Sequence, residues 1–496
     1  MTQILIVTAD VLRQKMAGPA IRAWEMAKEL SKTNDVRLVS TSQSAVERTG
    51  IGFEVSTAAT HEELELHVAW CDVLVFQGLL LSSHQWVADA DVKIVADLYD
   101  PMHLEQLEQT KGQPIRKRDT IVALTSEALD RQIRRADYMM CASPKQRLFW
   151  LGQLAANGRI NPYTYDSDGM FEGFLDVVPF GVDSVAPIQQ AHAIKGVVPG
   201  IAEDDEVLIW GGGIYNWFDP LTLVRAMAMV HARRPQARLF FMGSGHPNPD
   251  VPQMAVAADA RELASELGLL DSVVFFNEGW VPYDHRADFL LDADLGVSTH
   301  HLHVETEFSF RTRILDYLWA GLPMIATEGD GFAEVIRQRD LGIVVPAENA
   351  EALAEAILEL LSNPQRRSEI TARVERVAAE FAWPEVLKPL VRYCANPQLA
   401  ADRAAQLESD TRRLTHQERE IRALNLHIDS IERSLAWRTM LPARKVLAAV
   451  RVRLGRNPTV QQTAEYLETL GDEAATVLGL IEFTRSQRTD RDASSS

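Results

Sequence analysis

Short apolar runs and longer amphipathic stretches alternate along the chain from Ile4 to Val345. In the first half, five apolar runs have the length of strands that are buried on both faces of a parallel sheet. These runs are Ile4–Thr8, Val36–Ser40, Val73–Phe76, Lys93–Ala96 and Tyr138–Ala142. A helix is predicted from Pro19, because proline suits the first helical position and Trp24 and Ala27 follow at helical spacing. The repeated order of strand, loop and helix predicts an open α/β sheet.

A second series of the same kind follows a stretch from Asn157 to Pro187 that is rich in Gly, Pro, Asp and aromatic residues. Within that stretch Val177–Val182 has the pattern of a strand running into a turn, so a domain boundary is predicted soon after it. The strands predicted beyond the boundary are Val207–Trp210, Arg238–Met242, Ser272–Phe276, Leu295–Ser298, Met324–Ala326 and Gly342–Val345, and the helices are Pro220–His231 and Arg261–Leu267. The predicted fold class is therefore α/β, with two facing doubly wound, Rossmann-like domains over residues 1–185 and 186–395. Ligands collect between the switch points of such domains.

Beyond residue 395 the pattern changes to a heptad period. The aliphatic positions of this seam are Leu407, Leu414, Ile421, Leu424, Ile428, Ile431 and Leu435. They predict a coiled coil over residues 396–435, and hence a homo-oligomer, although a single amphipathic helix packed on its own chain would give the same pattern.

The segment from Ala436 to Arg456 carries six basic residues and no acidic residue. A basic and amphipathic helical region is predicted over residues 436–487, followed by a disordered tail over residues 488–496. Its apolar and basic faces suit the headgroup layer of an anionic membrane. Docking on the acidic remainder of the chain, or on a partner, is the alternative.

The chain has 50 Lys and Arg residues and 69 Asp and Glu residues, so its formal net charge is −19. A negative charge of this size disfavours a general nucleic-acid binder. Three cysteines, Cys71, Cys141 and Cys394, offer neither a disulfide framework nor metal-ligand spacing, which favours a reducing compartment. The N-terminus lacks a signal-peptide pattern and no run of about 18 apolar residues occurs, so a cytoplasmic protein is expected. No P-loop, zincin or α/β-hydrolase signature is present.

The most informative stretch runs from His300 to Pro323, where the chain leaves a strand, crosses a polar loop and enters a helix. Arg311 and Arg313 lie near the start of that helix, where guanidinium groups and oriented amides would bind a leaving diphosphate. Either arginine could instead be a structural ion-pair partner. Asp316 lies one turn later and could accept hydrogen bonds from the hydroxyls of a ribose, or be an ordinary helix carboxylate. The histidines and glutamates from His300 to Glu307 are not expected to hold a metal, because adjacent histidines rarely point at one ion.

Two other loops follow predicted strands. The bare backbone of Gly212 and Gly213, between a strand and a helix, could approach phosphate oxygens or form only a tight turn. In the first half, Asp100 and His103 follow the strand Lys93–Ala96 and would face the cleft, unless they merely cap a helix and lie on the surface.

The stretch LDYLWAGLPMIAT at residues 315–327 resembles a segment of the GT-B glycosyltransferases, and within them of family four, the retaining enzymes that use nucleotide-activated sugars. The following residues, 328–336, are similar to the glycine turn and EVV helix of that family, and residues 342–346 and 350–357 to its closing elements. The resemblance covers residues 1–395. It implies a donor site that includes Gly18 of the N-domain glycine loop and Glu334 of the EVV helix.

The chain departs from the family at the E-x7-E motif, which would put glutamates at positions 308 and 316. This chain has Phe308 and Asp316, with Glu307 displaced by one residue. The usual Arg and Lys after the first strand of the C-domain are also missing, and Arg311 and Arg313 are the candidates to replace them. The residue patterns and the resemblance together make Asp100, His103, Glu307 and Arg311 the candidate catalytic residues. The candidate donor-binding residues are Gly18, Gly212, Gly213, Arg311, Arg313, Asp316 and Glu334.

The resemblance implies transfer of a sugar from a nucleoside diphosphate sugar to a glycan or lipid-linked acceptor, in the synthesis of cell-surface polysaccharide. Nucleotide would bind the C-domain and acceptor the N-domain, with no metal or other cofactor. The coiled coil and basic segment suggest an assembly in the cytoplasm, at the inner face of a membrane. Two alternatives remain open: a nucleotide-sugar epimerase of the same fold, and a catalytically inactive nucleotide-binding scaffold organised by the coiled coil.

Overall fold

The structure is a computed structural model, which describes residues 1–43, 46–243, 254–408, 421–422 and 424. Its compact first unit spans residues 1–403 and contains two separate parallel β-sheets. The predicted fold class is confirmed, because each sheet has the doubly wound order in which the chain starts centrally and then moves to both edges.

The first sheet has seven strands in the order β3-β2-β1-β4-β5-β6-β7. Its strands are β1 (Gln3–Thr8), β2 (Asp35–Ser40), β3 (Glu54–Thr57), β4 (Val73–Gln77), β5 (Lys93–Asp97), β6 (Tyr138–Cys141) and β7 (Leu175–Val177). The central strand β1 is buried over Ile4–Thr8 because helices cover both faces of the sheet. The order reverses between β1 and β4, and this switch point opens towards the second sheet.

The second sheet has six strands in the order β10-β9-β8-β11-β12-β13. Its strands are β8 (Glu206–Trp210), β9 (Ala237–Phe241), β10 (Val274–Phe276), β11 (Leu295–Ser298), β12 (Met324–Thr327) and β13 (Gly342–Val345). Its switch point lies between β8 and β11, so the loops after these strands meet the loops after β1 and β4 across a cleft.

Helices connect the strands in the described part of the chain. They are α1 (Gly18–Leu30), α2 (His61–Trp70), α3 (Leu80–Ser83), α4 (Met102–Gln109), α5 (Ile115–Arg135), α6 (Pro144–Ala156), α7 (Pro162–Ser167), α8 (Pro220–Arg233), α9 (Ala255–Glu266), α10 (Arg286–Leu290), α11 (Val304–Phe308), α12 (Arg313–Trp319), α13 (Gly331–Arg339), α14 (Ala350–Ser362), α15 (Pro364–Ala378), α16 (Trp383–Val386) and α17 (Lys388–Ala395). Among the described residues, no helix is long and apolar enough to cross a lipid bilayer.

The last helices return to the first sheet. The ring of Tyr393 in α17 stacks on Tyr138 of β6 with centroids 4.4 Å apart, and Thr2 Oγ1 donates to the carbonyl of Cys394 at 3.1 Å. Further on, Asp402 forms a buried ion pair with Arg159 at 2.9 Å. The end of the first unit therefore packs against the first sheet and its helices, while the domain limits at 185 and 395 stay predictions.

The sequence pattern missed strand β3 and helix α11, among other short elements, and it placed the strand of Val177–Val182 too late, because β7 spans Leu175–Val177. Strand β3 was not expected because Glu54–Thr57 is short and polar at the sheet edge, and none of its four residues is buried. The loop after β11, expected to be irregular, contains the short helix α11, whose first turn is capped by the His303 side chain accepting from the amide of Thr306. The three cysteines are buried free thiols, as their spacing indicated.

Of the predicted coiled coil over residues 396–435, the structure describes residues 396–408 and three later positions. A helix runs through residues 403–408, and the Leu407 side chain in it is exposed. Nearly all of the seam beyond Leu407, the basic and amphipathic region over residues 436–487 and the tail over residues 488–496 lie outside the described residues.

Candidate active site

A cleft of about 540 Å³ lies between the two sheets, at their switch points. The loops after β1, β4 and β5 form one wall, which includes Gly18 and Asp100. The loop after β8 and the start of α12 form the other wall. Seven of the predicted residues meet here: Gly18, Asp100, Gly212, Gly213, Arg311, Arg313 and Asp316.

The Gly211–Gly213 turn follows β8 directly and has no side chain. Gly212 adopts a φ of 75°, the left-handed region that glycine occupies without strain. A Cβ on Gly213 would come within 2.9 Å of the Tyr215 ring. The amide of Gly211 donates to the Tyr317 hydroxyl at 2.8 Å, which ties the turn to α12. The bare backbone of the turn is therefore held in place against the cleft.

Arg313 begins α12 and is buried beside this turn. Its Nη2 donates to the carbonyl of Gly213 at 2.9 Å, and its guanidinium lies over the rings of Trp210 and Phe218 at 4.1 and 3.8 Å. Its Nη1 is buried without a hydrogen-bond partner, and no carboxylate in the described residues forms an ion pair with it. Burial lowers the pKa of Arg313 to about 10, so the group stays charged at neutral pH. A buried cation that lacks a counterion favours an anionic ligand.

Arg311 is already engaged with a carboxylate. Its Nη1 and Nη2 donate to the two oxygens of Glu305 at 3.0 and 2.8 Å, in a bidentate pair that the helix α11 makes possible. Only its Nε is buried without a partner. The charge of Arg311 is thus largely balanced, whereas that of Arg313 is not.

A group of three carboxyls faces the cleft near Arg311. Asp100 and Glu105 share a side-chain hydrogen bond at the end of β5 and in α4, and Glu305 approaches from α11. Burial, followed by this mutual repulsion, raises the pKa of Glu105 well above its ordinary value, and burial raises the pKa of Asp100 to about 6. Two carboxyls in hydrogen-bond contact must share a proton, so the group carries less than three negative charges near pH 6.

Replacing Asp100 by Asn should flatten the pH dependence of stability. The folded protein keeps the Asp100 proton up to about pH 6, whereas the unfolded chain releases it near the ordinary pKa of 3.8. The wild type therefore loses free energy of unfolding as the pH rises from about 4 to about 6, with no further loss from this group above that. Urea unfolding across this range should show a smaller loss for Asp100→Asn. The exposed Asp119→Asn should follow the wild type, and equal slopes for Asp100→Asn and wild type would refute the assignment.

Asp316 and Arg286 form an ion pair on the same wall, with Nε and Oδ1 3.3 Å apart. Tyr283 and Trp280 line the cleft beside them, and Trp217 and Met254 add further apolar surface. Burial raises the pKa of Asp316, and Arg286 opposes that rise. This end of the cleft combines flat apolar surfaces with one carboxylate, an arrangement suited to a nucleoside.

Three predicted residues lie outside this cleft. His103 stacks on Phe149 with ring centroids 5.5 Å apart and contacts Gln153. Glu307 pairs with Lys145 at 2.6 Å, and Glu334 pairs with Arg337 at 3.0 Å. Glu307 and Glu334 line a second cavity of about 650 Å³. These three residues remain predictions, with positions that are separate from the group around Arg313.

The sequence reasoning did not select Glu105, Glu305 or Arg286. Glu305 had been considered only as a metal ligand, and no group of three or more potential metal ligands occurs in the part of the chain that the structure describes. His300 is buried, and its burial and the nearby Arg311 lower the pKa of its ring to about 3. The stretch DLYDPMHLE, residues 97–105, contains Asp100, which the sequence pattern did select. Glu105 is the last residue of the same stretch.

Comparison with known proteins agrees with this architecture. Residues 205–363 match the family model described as glycosyl transferases group 1. The D-inositol 3-phosphate glycosyltransferase of Thermobispora bispora is 29% identical over 184 residues, which are 37% of this chain and 41% of that protein. The chain thus spans about two fifths of the length of such curated relatives, 41% and 44% in two of them.

Solved structures share the fold over a larger part of the chain. The structure of HepE of Anabaena in complex with UDP-glucose has a TM-score of 0.56 and 16% sequence identity to this chain. The match covers 80% of this chain and 100% of the HepE chain. WaaG, a glycosyltransferase involved in lipopolysaccharide biosynthesis, has a TM-score of 0.54, 16% identity and the same coverage. With its two parallel sheets and the cleft between them, the chain has the GT-B fold, and its residues 205–363 are similar to the group 1 glycosyl transferases.

Proposed function

We propose that this protein transfers a sugar from a nucleoside diphosphate sugar to a glycan or lipid-linked acceptor in cell-surface polysaccharide biosynthesis. The observation that carries the proposal is Arg313 beside the bare Gly211–Gly213 turn, a buried cation that has no carboxylate partner among the described residues. A diphosphate would supply the missing charge, and the amides of the turn could add hydrogen bonds.

In the proposed reaction, the bond between the sugar C1 and the diphosphate oxygen breaks, and the electron pair stays on the diphosphate. Arg313 stabilises this developing charge in a partly dry site, where electrostatic interactions are stronger than in water. The acceptor hydroxyl forms the new bond to C1. Asp100, on the opposite wall, is the carboxylate proposed to take the acceptor proton, and it is ionised above about pH 6. Retention of configuration is proposed from the family resemblance.

Glu305 and Arg311 are proposed to hold the centre of the cleft together. Arg311 donates to the Glu305 carboxylate near Asp100, and the side-chain amide of Gln146 in α6 donates to the carbonyls of Tyr99 and Phe308, both at 2.8 Å. These contacts join the acceptor wall to the donor wall. The site needs no metal ion in this proposal, since Arg313 supplies the positive charge.

The proposed location and partners rest on the sequence pattern beyond residue 395. The basic segment is proposed to contact the inner face of a membrane, and the heptad seam to form a homo-oligomer in the cytoplasm. Both would bring the cleft to a lipid-linked acceptor. The named substrate of the Thermobispora relative, an inositol phosphate, is the acceptor to test beside it.

Thermal unfolding with a panel of nucleotides tests the proposed function. Purified protein is heated with UDP, GDP, ADP, dTDP and their common sugar conjugates, with and without EDTA. We expect one nucleotide to raise the melting temperature, since a ligand at 100 times its Kd stabilises by about 2.7 kcal/mol, and EDTA to leave the shift unchanged. No shift with any nucleotide would contradict the proposed donor site. A shift without turnover on any acceptor would favour the scaffold alternative.

A further inference from the structure

Helix α4 lines the side of the cleft that belongs to the first sheet. Together with the loops after β1, β4 and β5 it forms the acceptor wall, as opposed to the wall that carries Arg313. The four cleft-lining residues of α4 recur at helical spacing and therefore share one face of the helix. They are Met102, Glu105, Gln106 and Gln109. This face is in a position to contact an acceptor that binds beside the donor.

The acceptor wall carries carboxyl groups but no basic side chain among the described residues. Its carboxyl groups are those of Asp10, Asp100 and Glu105, and its amides are those of Gln77, Gln106 and Gln109. Three arginines line the cleft, and all of them belong to the second-sheet side. An acceptor with a phosphate at this wall would therefore meet like charges, in a cleft to which the proposed diphosphate already adds negative charge.

Two basic residues of the first-sheet side are engaged elsewhere. Arg22 is completely buried, and its guanidinium donates to both oxygens of Asp97 and to two backbone carbonyls. Lys111 follows α4 and pairs with Glu108. Neither cation is among the residues that line the cleft, so neither offsets the carboxyl groups of the acceptor wall.

The side-chain amide of Gln77 is an independent sign of a polar ligand at this wall. Gln77 ends β4, lines the cleft and is only 4% exposed. Its Nε2 donates to Asp97 at 3.2 Å, which makes Oε1 the acceptor atom, and this oxygen is buried without a hydrogen-bond partner. Because an unpaired buried acceptor is costly, Gln77 favours a ligand that brings N–H or O–H donors.

We propose that the acceptor wall binds a sugar that carries an ammonium group, and that it disfavours acceptors with a phosphate in the same place. This inference rests on the proposed function and narrows the acceptor to the class of basic amino sugars. The ammonium would balance the carboxylate of Glu105, and the other N–H and O–H groups of the sugar would supply Gln77 with its donor. Asp100 then stays available as the proposed base for the acceptor hydroxyl.

Calorimetric titration with matched sugars tests this acceptor class. The full chain is saturated with the nucleoside diphosphate that gives the largest thermal shift. It is then titrated with glucose, glucosamine, 6-amino-6-deoxyglucose, N-acetylglucosamine and glucose 6-phosphate. We expect at least one of the two amino sugars to bind about 10-fold more tightly than glucose. N-acetylglucosamine, which has no positive charge, should bind as glucose does, and glucose 6-phosphate should bind more weakly than glucose.

Two variants of α4 connect the preference to the acceptor wall. Glu105→Gln keeps the size of the side chain and removes its charge, so the ratio of the Kd values for glucose and the amino sugar should approach one. Gln106→Lys adds a cation to the same helix face, so it should lower this ratio and tighten the binding of glucose 6-phosphate. Glu127, exposed in α5 on the same sheet, is the matched control, and Glu127→Gln should keep the wild-type ratio.

The outcomes separate this inference from the proposed function. Should Glu105→Gln fail to fold, Gln106→Lys decides. A wild type that binds none of the sugars, binds glucose and the amino sugars equally or prefers glucose 6-phosphate would overturn the inference and leave the donor site in place. A preference for the amino sugar that persists in the folded α4 variants would overturn it as well. A wild type that binds no nucleoside diphosphate would overturn the proposed function too.

Discussion

Replacing Arg313 by Met should weaken nucleoside diphosphate binding by about 10- to 100-fold, the loss of one or two hydrogen bonds to a charged group. The physical reason is the missing counterion of Arg313, whose Nη1 is buried without a partner. The unliganded variant should be at least as stable as the wild type, because the substitution removes a buried cation and keeps the apolar contact with Trp210 and Phe218. A purely structural arginine would give the opposite pattern.

Calorimetric titration and thermal unfolding of the same samples separate these two outcomes. Arg313→Lys, which keeps the charge but loses the planar fork, should fall between the wild type and Arg313→Met. Arg367, which lies outside the cleft and donates to the carbonyls of Leu360 and Leu361, provides the matched control, and Arg367→Met should bind as the wild type does. Unchanged binding in Arg313→Met, with a lower melting temperature, would contradict the assignment.

Replacing Arg22 by Met should lower the free energy of unfolding by about 3–5 kcal/mol, the range for one partner removed from a buried ion pair. The Arg22 and Asp97 side chains are completely buried, and Nε and Nη2 of Arg22 donate to the two Asp97 oxygens at 2.6 and 2.9 Å. Arg22 also donates to the carbonyls of Val178 and Pro179, in the segment that leaves the first sheet for the second. The variant would leave all three acceptors without this donor.

Urea unfolding monitored by circular dichroism measures this loss. The double variant Arg22→Met with Asp97→Leu should be more stable than the sum of the single losses predicts, because it removes both charges together. Arg131, in the exposed ion pair with Glu127, is the control, and Arg131→Met should cost less than about 0.5 kcal/mol. A loss below about 1 kcal/mol in Arg22→Met would contradict the assigned contribution of this buried pair to the stability of the fold.

The sequence predicted the sheets well because buried parallel strands leave continuous apolar runs. The central strands β1, β8 and β11 begin within one residue of their predicted starts. The edge strand β3 was not predicted, because it lies at the rim of the sheet and buries none of its residues. The position of the cleft could also be predicted, because the order of the strands in each sheet determines which loops face each other.

The individual contacts of the site could not be predicted to the same extent. Gly212, Arg313 and Asp316 were recognisable because each lies next to a strand end or helix start. Arg286, however, belongs to no motif and reaches Asp316 from a different helix, 30 positions earlier in the sequence. Arg311 and Arg313 also differ in their partners, which their spacing in the sequence does not reveal. A helix in the preceding loop gives Arg311 a carboxylate partner in Glu305, while Arg313 is left without one.

The central proposal is that a nucleoside diphosphate sugar binds the cleft around Arg313 and that its nucleoside diphosphate is released when the sugar is transferred. The most direct test incubates the full chain with the nucleotide sugar that stabilises it and with a bacterial glycolipid extract or inositol phosphate, and measures nucleoside diphosphate by mass spectrometry. We expect release that increases with acceptor, persists in EDTA and falls by about 10-fold or more in Arg313→Met, because that variant loses an electrostatic contact to the leaving group. Release that is unaffected by Arg313→Met, or no release with any stabilising nucleotide sugar, would contradict the proposal.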